Sequence, residues 1–416
     1  MQKKELFERV YNTDFSGLED FDPVMVHLLG LSKLPKAGYS LKKMIYSAVG
    51  IKYTFKKNSG SAKKLFIFSS SYMNRKDYKS CFDSLTALID DAVIVKAERK
   101  WHISPTSIIR LFKSFAWYKK LKNLNIQQKM FIISQLYEGY NSLKNIQKLT
   151  QNEEITVCTT FCDTHLVDSL AAEYFNKLDV TTVTLQHGHF ADVPEIDDYS
   201  TRIHFTKCIS DYLLTFGEYT NEQAVRCGMN EGRVRALGML KHIGKVAPGE
   251  LKLSRTNTFG VIMSFDKERK ANIAMLKIAN EFASISGMEY IVRFHPSSNP
   301  DDYIGFIDKT YGSNPKLSMD EFSYRSEFLM IGKSTMFIEM MYDLKPAFIY
   351  ASEPAEDSFP GIDWCKFKNS ENLNHIYQSI FEDTEKLKGY VFDTRDKLCR
   401  INNVAENYIE FYKGLD

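Results

Sequence analysis

Twice along this chain, short apolar runs alternate with helical stretches. That pattern restricts it to parallel α/β architectures, in which crossover helices cover both faces of a sheet. In the first block, strands are expected at 65–68 (running into Ser69-Ser70-Ser71), 92–95, 155–158, 180–185 and 212–216, with a helix over 168–177. The second block follows the linker-like Lys245-Val246-Ala247-Pro248-Gly249. It carries strands at 258–263, 289–294, 328–331 and 347–350, and helices at 271–284, 301–311 and 335–343. A last helix, about 397–412, follows a break at Asp393 and has either domain open to it. At about 150 residues per domain, 416 residues fit two such units. The division expected is a first Rossmann-like domain over 1–247 with a helical insertion at about 96–150, a second over 250–395, and a terminal helix over 397–416.

Charge is balanced overall, with 54 basic and 52 acidic residues, so the total does not imply a polyanion binder and nucleic acid is not expected as a partner. It is uneven locally. Residues 96–129 hold nine basic side chains against Glu98 alone, a net +8, which leaves −6 on the rest of a chain whose sum is +2. Phe112, Phe115, Trp117 and Tyr118 interleave with Arg110, Lys113, Lys119, Lys120 and Lys122. Such a segment suits a membrane surface, a lipid-linked acceptor or an acidic glycan, and equally a solvated helical face. The charged amino terminus and the lack of an 18-residue apolar run give a cytoplasmic expectation, with peripheral contact at the inner face of the membrane through 96–129. Seven scattered cysteines lack zinc spacing. Neither a metal nor a dinucleotide cofactor is expected, since no G-x-G-x-x-G follows a strand and Asp20-Phe21-Asp22 is an isolated triplet in the tail.

Chemistry gathers where strands end, which is where open α/β sheets present their ligand loops. After one strand comes Gln186-His187-Gly188-His189, polar where packing asks for no polarity. His187 there suits a general base or a phosphate contact, and equally a turn hydrogen bond. Arg293-Phe294-His295-Pro296 ends another strand, with the proline holding His295 extended and Arg293 and His295 on one side, able to meet an anion. Gly332-Lys333-Ser334-Thr335 joins a third strand to a helix. Its hydroxyls and N–H groups suit a phosphate, and Glu339 one turn on can accept from ribose hydroxyls. It is not a P-loop, because Glu327 stands where the first glycine would be. Asp163 is an acceptor-side candidate opposite His187, or an N-cap for the helix that follows. Gly238-Met239-Leu240-Lys241 reads as a turn at the domain junction, without direct chemistry.

Together, Q-H-G, R-x-H-P and a G-x-S-T-led helix bearing glutamate resemble the bacterial GT-B glycosyltransferases of surface-polysaccharide synthesis, over about residues 155–350. The patterns are nearest the CDP-glycerol glycerophosphotransferases and the bacterial sialyl- and polysialyltransferases. Gln186 and His189 stand where the glycerophosphotransferases usually carry tryptophan and threonine. The resemblance implies two Rossmann-like domains facing across a cleft, and transfer from a CMP-, CDP- or UDP-linked sugar or alditol to a glycan or lipid-linked acceptor of a capsule or cell wall, without a metal. It implies His187 as base, with Gln186, Gly188, His189 and Asp163 on the acceptor side. Arg293, His295, Pro296, Gly332, Ser334 and Thr335 would meet the donor phosphates and Glu339 the ribose. A UDP-sugar 2-epimerase of similar shape and a non-catalytic polyanion- or membrane-binding scaffold are the alternatives.

Overall fold

The computed structural model describes residues 52–57, 63–68, 76–98, 125–190, 199–296, 298–351 and 357–415. Ser69-Ser70-Ser71, the Asp20–Asp22 triplet and the basic stretch from Arg99 to Lys122 lie outside them.

The first sheet contains β1 (Lys52–Lys57), β2 (Lys64–Phe68), β3 (Ala92–Glu98), β4 (Val157–Thr160), β5 (Thr181–Leu185), β6 (Tyr212–Thr215) and β7 (Val234–Ala236). Its order is β1-β3-β2-β4-β5-β6-β7, all parallel except β1, which pairs antiparallel with β3. Leu65, Phe66 and Ile67 in β2 and Thr182 to Leu185 in β5 are all buried, the continuous apolar or small-residue runs of strands covered on both faces. The covering helices are α1 (Lys76–Leu88), α2 (Ile126–Thr150), α3 (Leu166–Asn176), α4 (Tyr199–Thr206) and α5 (Glu218–Arg226). An Asn125/Gln128 capping box starts α2.

The second sheet has β8 (Thr258–Ile262), β9 (Glu289–Arg293), β10 (Gly312–Ser313), β11 (Leu329–Ile331), β12 (Ala347–Tyr350) and β13 (Lys366–Phe367), in the order β10-β9-β8-β11-β12-β13, all parallel. Around it lie α6 (Arg269–Ser286), α7 (Met319–Arg325), α8 (Met336–Tyr342), α9 (Ser370–Ile376) and α10 (Thr384–Leu398). α6 buries Met275, Leu276, Ala279 and Phe282, a helical stripe, and stops at Gly287 in the left-handed region. The chain is thus α/β, with two doubly wound domains, as the alternation predicts.

Two expectations need correction. Residues 301–311 are not a helix. Pro300–Asp302 and Ile304–Phe306 are single 3-10 turns, closed by Tyr303 N–H to the Pro300 carbonyl and Ile307 N–H to that of Ile304. The break near the carboxyl end falls at 399–403 rather than at Asp393: α10 runs through to Leu398, and Asn403 takes a left-handed φ of 54° before α11 (Val404–Lys413). α11 packs on the first domain, burying Val404, Tyr408 and Tyr412 in its core. Among the described residues no helix is long and apolar enough to cross a membrane.

Candidate functional site

In the second sheet the strand order reverses between β8 and β11, and a crevice opens at such a switch point. It is closely knit here. Ser264, just past β8, donates through Oγ to the Lys333 carbonyl at 3.2 Å, and Asn272 bonds both Ser264 N–H and its carbonyl. A Cβ on Gly332 would stand 2.6 Å from Ser264 Oγ, so a side chain there would displace the hydroxyl that bonds the Lys333 carbonyl. Ser334 Oγ accepts from Met336 N–H at 3.2 Å.

On the facing wall, β5 ends in Gln186, whose side chain behaves as an extra piece of backbone. Its Oε1 accepts from Phe216 N–H at 2.7 Å and its Nε2 donates to the Gly188 carbonyl at 2.9 Å, so its amide shapes the loop. His187 sits in a box of rings, with centroids 5.5 Å from Phe161, 5.2 Å from Phe190, 5.3 Å from His204 and 6.2 Å from Tyr78. Its Nδ1 lies 3.4 Å from the Leu185 carbonyl, which only accepts. That places the neutral ring's proton on Nδ1 and its lone pair on Nε2. His204 stacks on Phe190 at 4.0 Å. Burial, then the neighbouring His187 and His165, hold its imidazole well below the usual range.

His189 reaches from the first domain into the second, its ring beside Tyr219 of the one and Phe359 of the other. Its N–H donates to Thr335 Oγ1 at 3.1 Å, its ring stacks on Phe359 at 3.9 Å, and its Nε2 meets the Ser358 carbonyl. Burial, countered in part by that carbonyl, lowers its pKa to about 4. It is therefore neutral at pH 7 and plugged into the second domain. Gly188 is not forced by space, since a Cβ there would lie 3.8 Å from Thr335 Oγ1.

A cavity of about 270 Å³ lies between the domains, lined by Gln186, His187, Lys241, Thr335, Met336 and Glu339 over a floor of Tyr78, Cys81, Phe161, Phe216, Met239 and Leu240. Lys241 forms an ion pair with Glu339 across it. Beside that pair His242 stacks on Tyr342 at 3.4 Å. Thr335, Glu339 and Tyr342 are spaced i, i+4 and i+7, so one stripe leading into and along α8 receives His189, Lys241 and His242 of the first domain.

The structure thus gathers Gln186, His187, Thr335 and Glu339 around one cavity, with Gly188 and His189 at its edge. Asp163 is not in it and caps no helix. Its carboxylate is buried, accepting from Ile209 and Ser210 N–H, both at 2.9 Å, and from Cys208 Sγ, while burial pushes its pKa up. It pins the loop before β6, and His165 takes the N-cap position of α3. Arg293 donates to the Leu317 carbonyl at 2.6 Å and His295 stands edge-on to Phe265. These two, Pro296, Gly332 and Ser334 are outside the residues lining the cavity. Lys241, read from sequence as part of a turn without chemistry, faces the cavity. The turn Leu240–His242 that aims it is set by the fold of the junction, and only its place beside the linker hinted at this.

No protein-family model matches the chain, and no curated protein sequence does. Solved structures match its fold. A putative UDP-N-acetylglucosamine 2-epimerase from Listeria monocytogenes superposes with a TM-score of 0.55 at 10% identity, over 85% of this chain and 96% of that one. S. aureus MnaA, solved with UDP, gives 0.54 at 12% identity over 85% and 98%. The Neisseria meningitidis UDP-GlcNAc 2-epimerase bound to UDP-GlcNAc gives 0.50 at 12% identity over 85% and 100%. At such identities the likeness is one of fold: this chain has the GT-B-like architecture of two Rossmann-type domains.

Proposed function

We propose that this chain is an enzyme acting on a nucleotide-activated sugar held between its two domains. The observation that carries the reading is the shared cavity, with His187 on one wall and Thr335 and Glu339 on the other. Moving a group or a proton at a sugar carbon next to a nucleoside diphosphate needs a base at the carbon or hydroxyl and stabilisation of the departing phosphate charge. In this reading His187 moves the proton through Nε2, Thr335 serves the phosphates, and Glu339 takes the ribose hydroxyls. The apolar floor excludes water.

For the reaction, isomerisation of a UDP-sugar is the reading best supported. The fold likeness to UDP-GlcNAc 2-epimerases runs over 85% of this chain and nearly all of theirs. Transfer to a capsule, wall or lipid-linked acceptor is the second reading, and the Q-H-G, R-x-H-P and G-x-S-T motifs favour it. Incubation with UDP-GlcNAc and no acceptor, followed by proton NMR, separates the two. A new sugar nucleotide at constant total UDP-sugar is expected for isomerisation. Turnover only with an added glycan acceptor, releasing UDP, identifies transfer. His187→Ala is expected to lower kcat at least 100-fold in either case, the scale of a lost general base. Undiminished turnover in that variant removes His187 from the chemistry.

A further inference from the structure

A nucleoside diphosphate arrives with two or more negative charges, and among the described residues of the cavity that would take it no lysine or arginine is left without a carboxylate partner. Among its described lining residues Lys241 is the one lysine or arginine, and Glu339 already neutralises it. Arg293, expected to meet the anion, is turned to the Leu317 carbonyl, and Lys333 lies outside the lining. α8 is only seven residues long and cannot supply the missing charge through its terminus. A dianion entering an apolar-floored space without a counter-charge bears a large desolvation cost.

We infer that Lys241 is the diphosphate-binding cation of this site and is released for that task when Glu339 exchanges it for the ribose hydroxyls of the incoming nucleotide. The inference rests on the proposed function and adds a residue and an order of events to it. Both partners keep a charge-assisted contact through the exchange: the carboxylate gives up an ammonium and accepts two hydroxyl donors, and the ammonium gives up a carboxylate and gains phosphate oxygens. Geometry favours the swap. Lys241 and Glu339 side chains are each about a quarter to a third exposed, at 30% and 26%, so neither must leave a sealed interior to move. Lys241 also stands on the turn Leu240–His242, where the chain leaves the first domain, and Glu339 on the second-domain helix α8. Occupancy by nucleotide therefore replaces a contact between the domains by two contacts to the ligand.

Calorimetric titration of the full chain with uridine and with UDP, at fixed salt and both with Mg²⁺ and with EDTA, tests this. The readout is the ratio of the two dissociation constants, which isolates the diphosphate. Lys241→Gln is expected to lower that ratio about 10- to 100-fold, the range of a lost hydrogen bond to a charged group, while Lys241→Arg holds it near the wild-type value. Glu339→Gln is expected to leave the ratio at or above wild type, because the competing carboxylate is gone. Lys333→Gln, removing a cation outside the lining, is expected to leave it unchanged. A ratio within twofold of wild type in Lys241→Gln overturns the inference. So does an equal fall in Lys241→Gln and Glu339→Gln, the sign of a mere tie between domains. If the wild type binds neither compound, the proposed function itself falls; if it binds UDP and the Lys241→Gln ratio is unchanged, only this assignment does.

Discussion

His189 shows how far one side chain's role depends on where the fold sends it. Two residues from His187 in sequence, it has a carbonyl for its Nε2, a phenylalanine under its face and no partner for its buried Nδ1. Protonating it would place a charge there. Its pKa falls from about 6.5 in the unfolded chain to about 4 in the fold, so between those values the unfolded state binds more protons and stability falls as pH falls. His242, lowered to about 3 by burial and by Lys241 and Lys245, acts with the same sign at the same seam. Between pH 7 and pH 5 each contributes a loss of about 2 kcal/mol. His189→Phe keeps a ring on Phe359 and removes the titration. It is expected to cost about 1 kcal/mol at pH 7, through the lost hydrogen bond, and to flatten the pH dependence of the urea midpoint between pH 7 and 5. An equally steep dependence in the variant would mean that His189 is not a neutral plug.

At the scale of elements, the return of the chain from second domain to first decides how the two are joined. Past α10, Arg400 N–H donates to the Phe216 carbonyl at 2.7 Å and its guanidinium to the Ala236 carbonyl at 3.2 Å. The crossing fits because Gly217 and Gly238 lack side chains. A Cβ would meet the Leu398 backbone at 2.5 Å in one and the Arg400 carbonyl at 2.7 Å in the other, and Gly238 also has a φ of 103°. Gly238→Ala is therefore expected to destabilise by roughly 3 kcal/mol, from backbone strain plus overpacking, and to raise hydrogen exchange selectively along α11. Unchanged exchange there would rule out the crossing as the seat of strain. None of this is legible in periodicity. The alternation of β2 to β6, β8, β9, β11 and β12 with α3, α6 and α8 could be read because burial on both faces writes apolar runs into each strand, whereas β7 and β10, three and two residues long, are too short to carry such a run. The turns at 300–306 and the break at 399–403 depend on a proline, an asparagine in the left-handed region and contacts some 160 to 180 residues away. Strand-end polarity likewise marked His187, Thr335 and Glu339, but nothing local marks that Asp163 faces amides of the 208–210 loop or that Lys241 reaches Glu339.

Across the whole molecule, each domain lends the other something it cannot easily spare. The first domain's core is completed by α11. Tyr412 packs 5.5 Å from Phe66 and bonds Thr159 Oγ1 at 2.9 Å, and Tyr408 donates to the Gly238 carbonyl at 3.1 Å. The second domain accepts His189, and its stripe of Thr335, Glu339 and Tyr342 is covered by the first. Losing one buried aromatic from a core costs about 3–5 kcal/mol, and an entire domain is held by only about 5–15. A chain cut after Arg400 loses two such rings from the first domain at once and none from the second. It is expected to melt in two calorimetric transitions, the earlier one belonging to the first domain, whereas the full chain melts in one because α11 and the seam bring the first domain to the stability of the second. The cut chain should also lose UDP binding by the intact protein's measure, since His187 and Lys241 depart with the first domain while Thr335 and Glu339 remain folded. Two transitions in the full chain would mean that the seam and the returning helix only lean the domains together, and that the cavity between them forms on binding.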